Sequence, residues 1–363
     1  MGLFFILLAV AYLLGNGYIY FRSWEVLHLV PVAARWGLSL LYWAGACSLF
    51  FVFGNREMPT GTVAHALYYL STGWLIFTLY LVMLLLGTDI LRLFHLVFPH
   101  RFIICLGLTI VLLAGGYIHY SNPKTEVIHL DINKPLAGTD ELRVVAVSDI
   151  HLGYGTTKAR LQRYVRMIMA QKPDLILISG DMIDSNLFPV KAQAMGEELS
   201  QLRAPLGIYM VPGNHEYLSG VRRCREFVQQ ETPIRWLQDS TVVLANGLQI
   251  VGRDDRSNPH RKSLAELVRP LDLQHPLIIL DHQPAHLEES VEARADLQFS
   301  GHTHDGQVWP LNYITRSLFE VSQGYKRIGE THVYVSAGLS LWGPPFRIGT
   351  SSELTLFKIQ FKP

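Results

Sequence analysis

Cysteine and charge are both scarce in this chain. Of its 363 residues three are cysteine: Cys47 and Cys105 lie within apolar runs, and Cys224 stands alone in a more polar region. Neither a disulfide framework nor a CxxC metal knuckle can be built from such positions. Charged residues make up 17% of the sequence, below the usual quarter, and the formal net charge is +1. A general nucleic-acid binder, which carries a basic patch or stripe, is therefore not expected.

Apolar residues, by contrast, are abundant and unevenly distributed. They form 49% of the sequence, and the mean hydropathy of +0.21 is high for a soluble enzyme. Four uncharged apolar runs lie near the N-terminus: Leu3–Phe21, Trp36–Phe53, Ala66–Gly87 and Phe102–Ile118. Each approaches the length that an α-helix needs to cross a hydrocarbon core of about 30 Å, so four transmembrane helices are predicted. Buried core helices are the alternative, and for the first run also a signal peptide, although no basic segment precedes it.

The basic residues of the connecting loops predict an orientation in the membrane. Loop one holds Arg22 and Arg35, loop three holds Arg92 and Arg101, and loop two holds only Arg56. Because Lys and Arg concentrate in cytoplasmic loops, loops one and three are expected in the cytoplasm and both chain ends outside it. Three basic residues after the fourth run reduce this asymmetry, namely Lys124, Lys134 and Arg143. The sequence thus favours an extracytoplasmic C-terminal domain over a cytoplasmic one.

The rest of the chain is predicted to be a tether followed by a globular domain. Buried strands are indicated by short β-branched runs: Val127–Ile132 in the tether, then Leu142–Val147, Leu175–Ser179, Gly207–Val211, Leu277–Leu280, Leu297–Ser300, Val333–Ser336 and Glu353–Gln360. Helices are predicted over Thr157–Ala170 and Val190–Leu202, and a hairpin over Val242–Val251. We therefore expect a transmembrane domain (residues 1–120), a tether (121–141) and an α/β domain with a mixed sheet (142–363).

Polar residues of metal-ligand type follow the predicted strands one after another. The segments are Asp149-Ile150-His151, Gly180-Asp181-Met182-Ile183-Asp184, Gly213-Asn214-His215-Glu216, the lone His282, and Gly301-His302-Thr303-His304. Carboxylate, imidazole and amide oxygen together suit divalent cations such as Mn²⁺, Fe²⁺ or Zn²⁺. These ligands exceed the needs of one tetrahedral site, and two cations about 3.5–4 Å apart would use them. Taken singly, the histidines have core positions as an alternative, and Asp149 and Asp181 have helix N-caps.

In this order, the five motifs resemble those of the calcineurin-like metallophosphoesterase superfamily, from about Leu142 to the C-terminus. The resemblance implies a mixed β-sandwich flanked by helices. The ending Gly-His-Thr-His-x-Gly-Gln is similar to that of a bacterial membrane-associated branch, which implies the bacterial plasma membrane. Asp305 departs from that branch, which usually has glycine at this position.

The resemblance also implies a role for each ligand. One metal would be held by Asp149, His151, Asp181 and His304, and the other by Asp181, Asn214, His282 and His302, with Asp181 bridging. His215 would be the general acid, paired with Glu216 or another carboxylate. Asp184 would support the site from behind the ligands. Independently of the resemblance, Asp305 could add a further supporting carboxylate or alter substrate access, and Arg347 could bind phosphate through its planar fork or form a structural salt bridge. Manganese is the first choice of metal, with iron or zinc as alternatives, and a metal-bridging hydroxide would attack phosphorus.

Together these features predict a membrane-anchored hydrolase of phosphate esters, phosphodiesters or pyrophosphates. One helix would suffice as an anchor, so four suggest a lipid or lipid-linked substrate. The apolar residues Trp309, Tyr313, Leu318 and Phe319 follow the last motif and are expected either to guide an acyl chain or to pack in the core. The alternatives are a phosphatase or phosphodiesterase for a soluble nucleotide or phosphoprotein, and a non-catalytic membrane sensor or scaffold. The sequence indicates no oligomeric state.

Overall fold

The chain forms two compact units in a computed structural model that describes residues 2–55 and 57–362, apart from the side chains of residues 2–5. The first unit is Met1–Ile118 with Gly343–Phe346, and the second is His119–Trp342 with Arg347–Pro363. Arg56, one of the residues used to predict the topology, lies outside the described residues.

The first unit consists of long apolar helices. They are α1 (Gly2–Leu27), α2 (Val32–Gly54), α3 (Thr62–Leu93) and α4 (Arg101–Tyr120), the last ending in the second unit. Among the described residues, α2, α3 and α4 are long and apolar enough to cross a membrane. Three of the four predicted spans are therefore candidate membrane helices by length and composition. Helix α1 covers the first predicted span but is not one of these three.

Polar side chains in the first unit are paired with one another. Asn16 is fully buried, and its Oδ1 accepts hydrogen bonds from Trp74 Nε1 at 3.0 Å and Tyr42 Oη at 2.9 Å. Asp89 forms ion pairs with Arg22 and with Arg101. Because an unpaired polar group is costly in an apolar surrounding, these contacts fix how the helices pack.

The second unit alternates short strands with helices. Its strands are β1 (Lys124–Ile132), β2 (Glu141–Val147), β3 (Leu175–Ser179), β4 (Ile208–Val211), β5 (Arg235–Trp236), β6 (Ser240–Val243), β7 (Gln249–Gly252), β8 (Leu277–Leu280), β9 (Leu297–Ser300), β10 (Gly324–Ile328), β11 (Thr331–Val335) and β12 (Glu353–Phe361). Its helices are α5 (Lys158–Ala170), α6 (Phe188–Ala192), α7 (Gly196–Leu199), α8 (Asn214–Ser219), α9 (Val221–Glu231), α10 (Leu264–Val268), α11 (Glu288–Glu292) and α12 (Leu311–Leu318).

These strands form two six-stranded mixed sheets, in the orders β1-β12-β2-β3-β4-β5 and β10-β11-β9-β8-β7-β6. Strands β2, β3 and β4 are parallel in the first sheet, and β7, β8 and β9 are parallel in the second. The predicted hairpin is confirmed as the antiparallel pair β6–β7. The single helix predicted over Val190–Leu202 is wrong, because α6 and α7 are separated at Ala194, whose φ of 51° is left-handed.

The two sheets pack face to face, with helices outside, as the alternation along β2 illustrates. Val144 and Ala146 lie in the core between the sheets, with residues such as Ile278 and Phe299 of the second sheet. Val145 and Val147 point the other way, into a core shared with α5. Side chains alternate across a strand, so a strand buried on both faces is apolar throughout. The predicted mixed sandwich is confirmed.

Candidate metal centre

The predicted ligands meet at the carboxyl ends of parallel strands, where loops converge in open α/β sheets. The first sheet supplies Asp149 and His151 after β2, Asp181 after β3 and Asn214 after β4, and the second supplies His282 after β8 and His302 and His304 after β9. The centre is therefore assembled from both sheets, and no single segment of the chain contains it.

One set of donors, here called the inner group, comprises Asp149, His151 and His304. Nε2 of His151 lies 3.2 Å from Nε2 of His304, and Oδ1 of Asp149 lies 3.8 Å and 3.5 Å from these two nitrogens. All three residues are at most 4% exposed. A concave set of imidazole and carboxylate donors at this spacing fits a small divalent cation.

A second set, here called the outer group, comprises Asn214, His282 and His302. Oδ1 of Asn214 lies 2.8 Å from Nδ1 of His302 and 3.2 Å from Nε2 of His282. Asn214 and His302 are half-buried, whereas His282 is fully buried. The outer group is thus the side of the centre that faces solvent.

Asp181 lies between the two groups. Its Oδ2 is 3.2 Å from Nε2 of His282 in the outer group and 3.9 Å from Nε2 of His151 in the inner group. It is 2% exposed. All seven predicted ligands are thus brought together, with one carboxylate central to both groups.

Hydrogen bonds between ligand side chains and the backbone fix the relative positions of the loops that carry the ligands. The carboxylate of Asp149, after β2, accepts from the backbone N–H of His302, after β9, at 3.1 Å. Nδ1 of His282 lies 2.8 Å from the carbonyl oxygen of Ser179, which directs Nε2 toward Asp181. Such partners fix the tautomer and orientation of a metal ligand.

Glu216 connects the loop after β3 with the loop after β4 through hydrogen bonds. Its carboxylate accepts from the backbone N–H groups of Asp181 at 2.9 Å, Ile183 at 2.8 Å and Gly213 at 2.8 Å. Glu216 is therefore not the carboxylate that pairs with His215. Nδ1–H of His215 donates instead to Oδ1 of Asp184 at 2.9 Å.

The backbone is strained at most of the ligands. Left-handed φ values occur at Asp149 (54°), His151 (47°), Asp181 (49°), His302 (74°) and His304 (50°). Such values are uncommon outside glycine and cluster at functional sites when the surrounding structure enforces them. Here the two sheets and the hydrogen bonds of Glu216 hold these residues in the left-handed conformation.

Gly180 shows how closely the loops approach. Its φ is 72°, and a Cβ built on it would lie 2.6 Å from Nδ1 of His282 and 2.8 Å from Cα of Gly213. Backbone atoms cannot move aside as a flexible side chain does, so only glycine fits.

The electrostatics of His302 and His304 fit metal binding. Burial opposes protonation of His282, but the charges of Asp181 and Asp149 outweigh it and raise the pKa of that imidazole well above its ordinary value. Burial and the neighbouring His282 lower the pKa of His302 to about 4. Burial and His151 lower the pKa of His304 well below its ordinary value. Both imidazoles are therefore neutral at pH 7, the form that ligates a metal. Buried Nδ1 atoms of His151 and His304 have no hydrogen-bond partner among the described residues.

Arg347 and Asp305, two residues predicted to support the site, are buried and form hydrogen bonds or ion pairs with neighbouring residues. Arg347 is 1% exposed, and its guanidinium donates to the carbonyl oxygen of His304 at 2.7 Å and also to that of Ala337. It therefore holds the inner group's loop and is not placed to bind phosphate. Asp305 is 1% exposed and accepts from Arg316 at 2.9 Å and Ser322 at 3.0 Å.

Two aromatic side chains border the centre. The ring of Trp342 lies 6.2 Å from that of His215, and the ring of Phe319 lies 6.0 Å from that of His302. Phe319 was among the predicted aromatic residues, whereas Trp342 was not predicted. Its only signal was its place seven residues after β11, in the sheet that supplies three ligands.

This combination defines a metallophosphoesterase centre, and comparison with known proteins agrees. The model of the family described as calcineurin-like phosphoesterase matches residues 142–306. An uncharacterized metallophosphoesterase of Bacillus subtilis is 30% identical over 257 residues, covering 68% of this chain and 89% of that protein. The chain belongs to the calcineurin-like metallophosphoesterase family.

Other relatives extend the likeness. A bovine "transmembrane protein with metallophosphoesterase domain" is 30% identical over 274 residues, which covers 70% of this chain but 61% of the bovine protein. This chain thus spans about three-fifths of that relative. Among solved structures, a 5'-nucleotidase precursor from Thermus thermophilus matches 61% of this chain and 54% of its own, with 14% identity and a TM-score of 0.36, too remote to bear on function.

Proposed function

We propose that the protein is a membrane-anchored hydrolase that uses two divalent cations to cleave a phosphate ester, phosphodiester or pyrophosphate bond in a lipid or lipid-linked substrate. The observation that carries this proposal is the position of Asp181, whose Oδ2 lies 3.2 Å from His282 and 3.9 Å from His151. A carboxylate central to two sets of imidazole and oxygen donors is the arrangement that a binuclear site requires.

Each proposed cation would be bound by one of the two groups of ligands. The inner group, with Asp181, would hold one cation, and the outer group, with the same carboxylate, would hold the other. When bound, such cations supply an activated water and neutralise charge on the phosphoryl oxygens. Manganese is our first choice, with iron or zinc as alternatives, because none of the ligands is a thiolate.

His215 would deliver a proton to the leaving oxygen. Burial opposes its protonation, but the charges of Asp181 and Asp184 outweigh this and raise its pKa to about 9. The bond from Nδ1 to Asp184 fixes the ring and leaves Nε2 for the substrate. A protonated imidazole beside the scissile bond serves as a general acid.

The lipid substrate is proposed from the membrane-spanning helices. Three helices have the length and composition to cross a membrane, and we include α1 as a fourth span. A single span would anchor the domain, so several favour a substrate that resides in the bilayer. We place the protein in the bacterial plasma membrane with the catalytic unit outside the cytoplasm.

Hydrolysis assays on the full chain in detergent with added Mn²⁺ test the reaction. We expect p-nitrophenyl phosphate or its bis-ester to be cleaved, and cleavage of the bis-ester favours a phosphodiesterase. Membrane lipid extracts then test the substrate class by mass spectrometry. Turnover of soluble esters without any lipid turnover would favour a nucleotide or phosphoprotein substrate. A metal-loaded protein that cleaves none of these would favour a scaffold.

A further inference from the structure

The short helix α12 packs with a polar residue inward and apolar residues outward. Its buried residue is Asn312, at 5% exposed, whereas Ile314 and Leu318 are 58% and 72% exposed. A surface helix of a soluble domain shows the reverse arrangement, with its apolar stripe toward the core. The outer side of α12 is therefore unsuited to water.

Five apolar residues in and beside this helix are exposed, and we call them the α12 patch. It consists of Trp309, Leu311, Tyr313, Ile314 and Leu318, all of which are more than a third exposed. Leu311, Ile314 and Leu318 are spaced by three and four residues, so they share one face of the helix. Residues 309–318 include no acidic side chain. The patch can therefore enter an apolar phase without burying a negative charge.

The basic side chain beside the patch is already neutralised. Arg316 forms an ion pair with the buried carboxylate of Asp305 at 2.9 Å, with its own side chain 52% exposed. Its long aliphatic stem can lie along an apolar surface while the guanidinium stays at the polar level. This position suits a lipid–water boundary better than the interior of a protein complex.

The residue that follows the α12 patch lies close to the metal centre. Phe319 follows α12, and its ring lies 6.0 Å from the ring of His302 in the outer group. The outer group is the solvent-facing side of the centre. A surface bound by the α12 patch is therefore adjacent to the bond-cleaving residues.

We propose that the α12 patch inserts into the lipid–water interface of the membrane that the chain's own helices span. Three residues separate α4 from β1, so a bilayer spanned by α4, as proposed above, would be within reach of the second unit. Trp and Tyr favour this interface, and an amphipathic helix buries its apolar face about 5–10 Å into it. The inference is independent of the proposed reaction, since an inactive protein would insert in the same way.

Fluorescence quenching on the full chain in lipid nanodiscs tests this insertion. A genetically encoded environment-sensitive fluorescent residue replaces Leu318 and, in a matched control, Val243, which is 63% exposed on β6. We expect quenchers attached to lipid acyl chains to quench the probe at 318 several-fold more than the probe at 243. Aqueous iodide should show the opposite order.

Two outcomes would overturn the proposal. Equal iodide quenching at both positions would mean that the patch faces water. A probe at 318 that neither quencher reaches would mean that a second copy or another protein covers it.

A double variant connects insertion with substrate access. Ile314→Asn with Leu318→Asn changes two exposed side chains, so the fold and the hydrolysis of a soluble nitrophenyl ester should be retained. A probe at Tyr313 should then become several-fold more accessible to iodide than in the parent chain; unchanged accessibility contradicts insertion by this face. If lipid turnover is absent in both chains while the probe shows insertion, the lipid-substrate proposal fails and the insertion stands.

Discussion

The inner and outer groups of the metal centre each consist of two imidazoles and one oxygen donor, but they differ in exposure to solvent. Asp149, His151 and His304 are almost fully buried, and all three have left-handed backbone conformations. In the outer group Asn214 opens helix α8, and His302 and Asn214 reach solvent. His302 also has a left-handed backbone conformation, so the two groups differ in burial and not in backbone strain. If each group binds a cation as proposed, we expect the buried inner group to retain its cation longer and the more exposed outer group to face the substrate.

Asp181→Asn removes the carboxylate common to both groups and should have the largest effect. We expect activity to fall by more than the roughly 100-fold typical of losing a residue behind the ligands. The metal content, measured by plasma mass spectrometry, should fall from two ions per chain. Asp272→Asn, whose side chain is 63% exposed, is the matched control and should keep both. Full metal content in the Asp181 variant would contradict a bridging role.

His215→Ala tests the solvent-facing side of the centre without touching a proposed ligand. General-acid catalysis typically contributes about 10²–10⁴-fold, so turnover should fall by that range while both cations remain. The loss should be smaller for esters with good leaving groups, which need less protonation. Loss of a cation in this variant would instead identify His215 as a ligand, a reading its position near Asp181 and His151 permits.

Mild chelation should separate the two groups. Because the outer group is open, its cation should be removed first, leaving one ion per chain, and stronger chelation should remove the second. A ligand present at 100 times its dissociation constant stabilises by about 2.7 kcal/mol, so each removal should lower the thermal midpoint by several degrees. Simultaneous loss of both ions would show that the groups do not differ in access.

Much of this architecture could be predicted from the sequence because strands buried on both faces are short apolar runs with ligands at their ends. Leu175–Ser179 and Leu277–Leu280 were predicted at their observed bounds. The break at Ala194 was not, because a left-handed residue other than glycine leaves no pattern. The pairing of His215 with Asp184 depends on how two loops meet in space, so spacing along the chain could not select it over Glu216.

The smallest expected effect concerns the strain within the inner group's loop. Asp305 follows His304, has a φ of 46°, and offsets that conformation by accepting from Arg316 and Ser322. Asp305→Ala loses both contacts and keeps the left-handed backbone, whereas Asp305→Gly loses the same contacts but relieves the conformation. A left-handed residue costs about 1–2 kcal/mol more with a Cβ than without, so the glycine variant should be the more stable of the two by that amount.

Thermal unfolding of the full chain in detergent can measure this difference. About 1 kcal/mol corresponds to roughly 2–4 °C for a domain of this size. Lys326→Ala, which breaks an ion pair whose side chains are 46% and 52% exposed, is the control and should cost less than about 1 kcal/mol. An alanine variant as stable as the glycine variant would mean that the loop relaxes when its contacts are removed. The contacts of Asp305 with Arg316 and Ser322 would then be the cause of its left-handed conformation. The loop of the inner group would be less rigid than its burial implies.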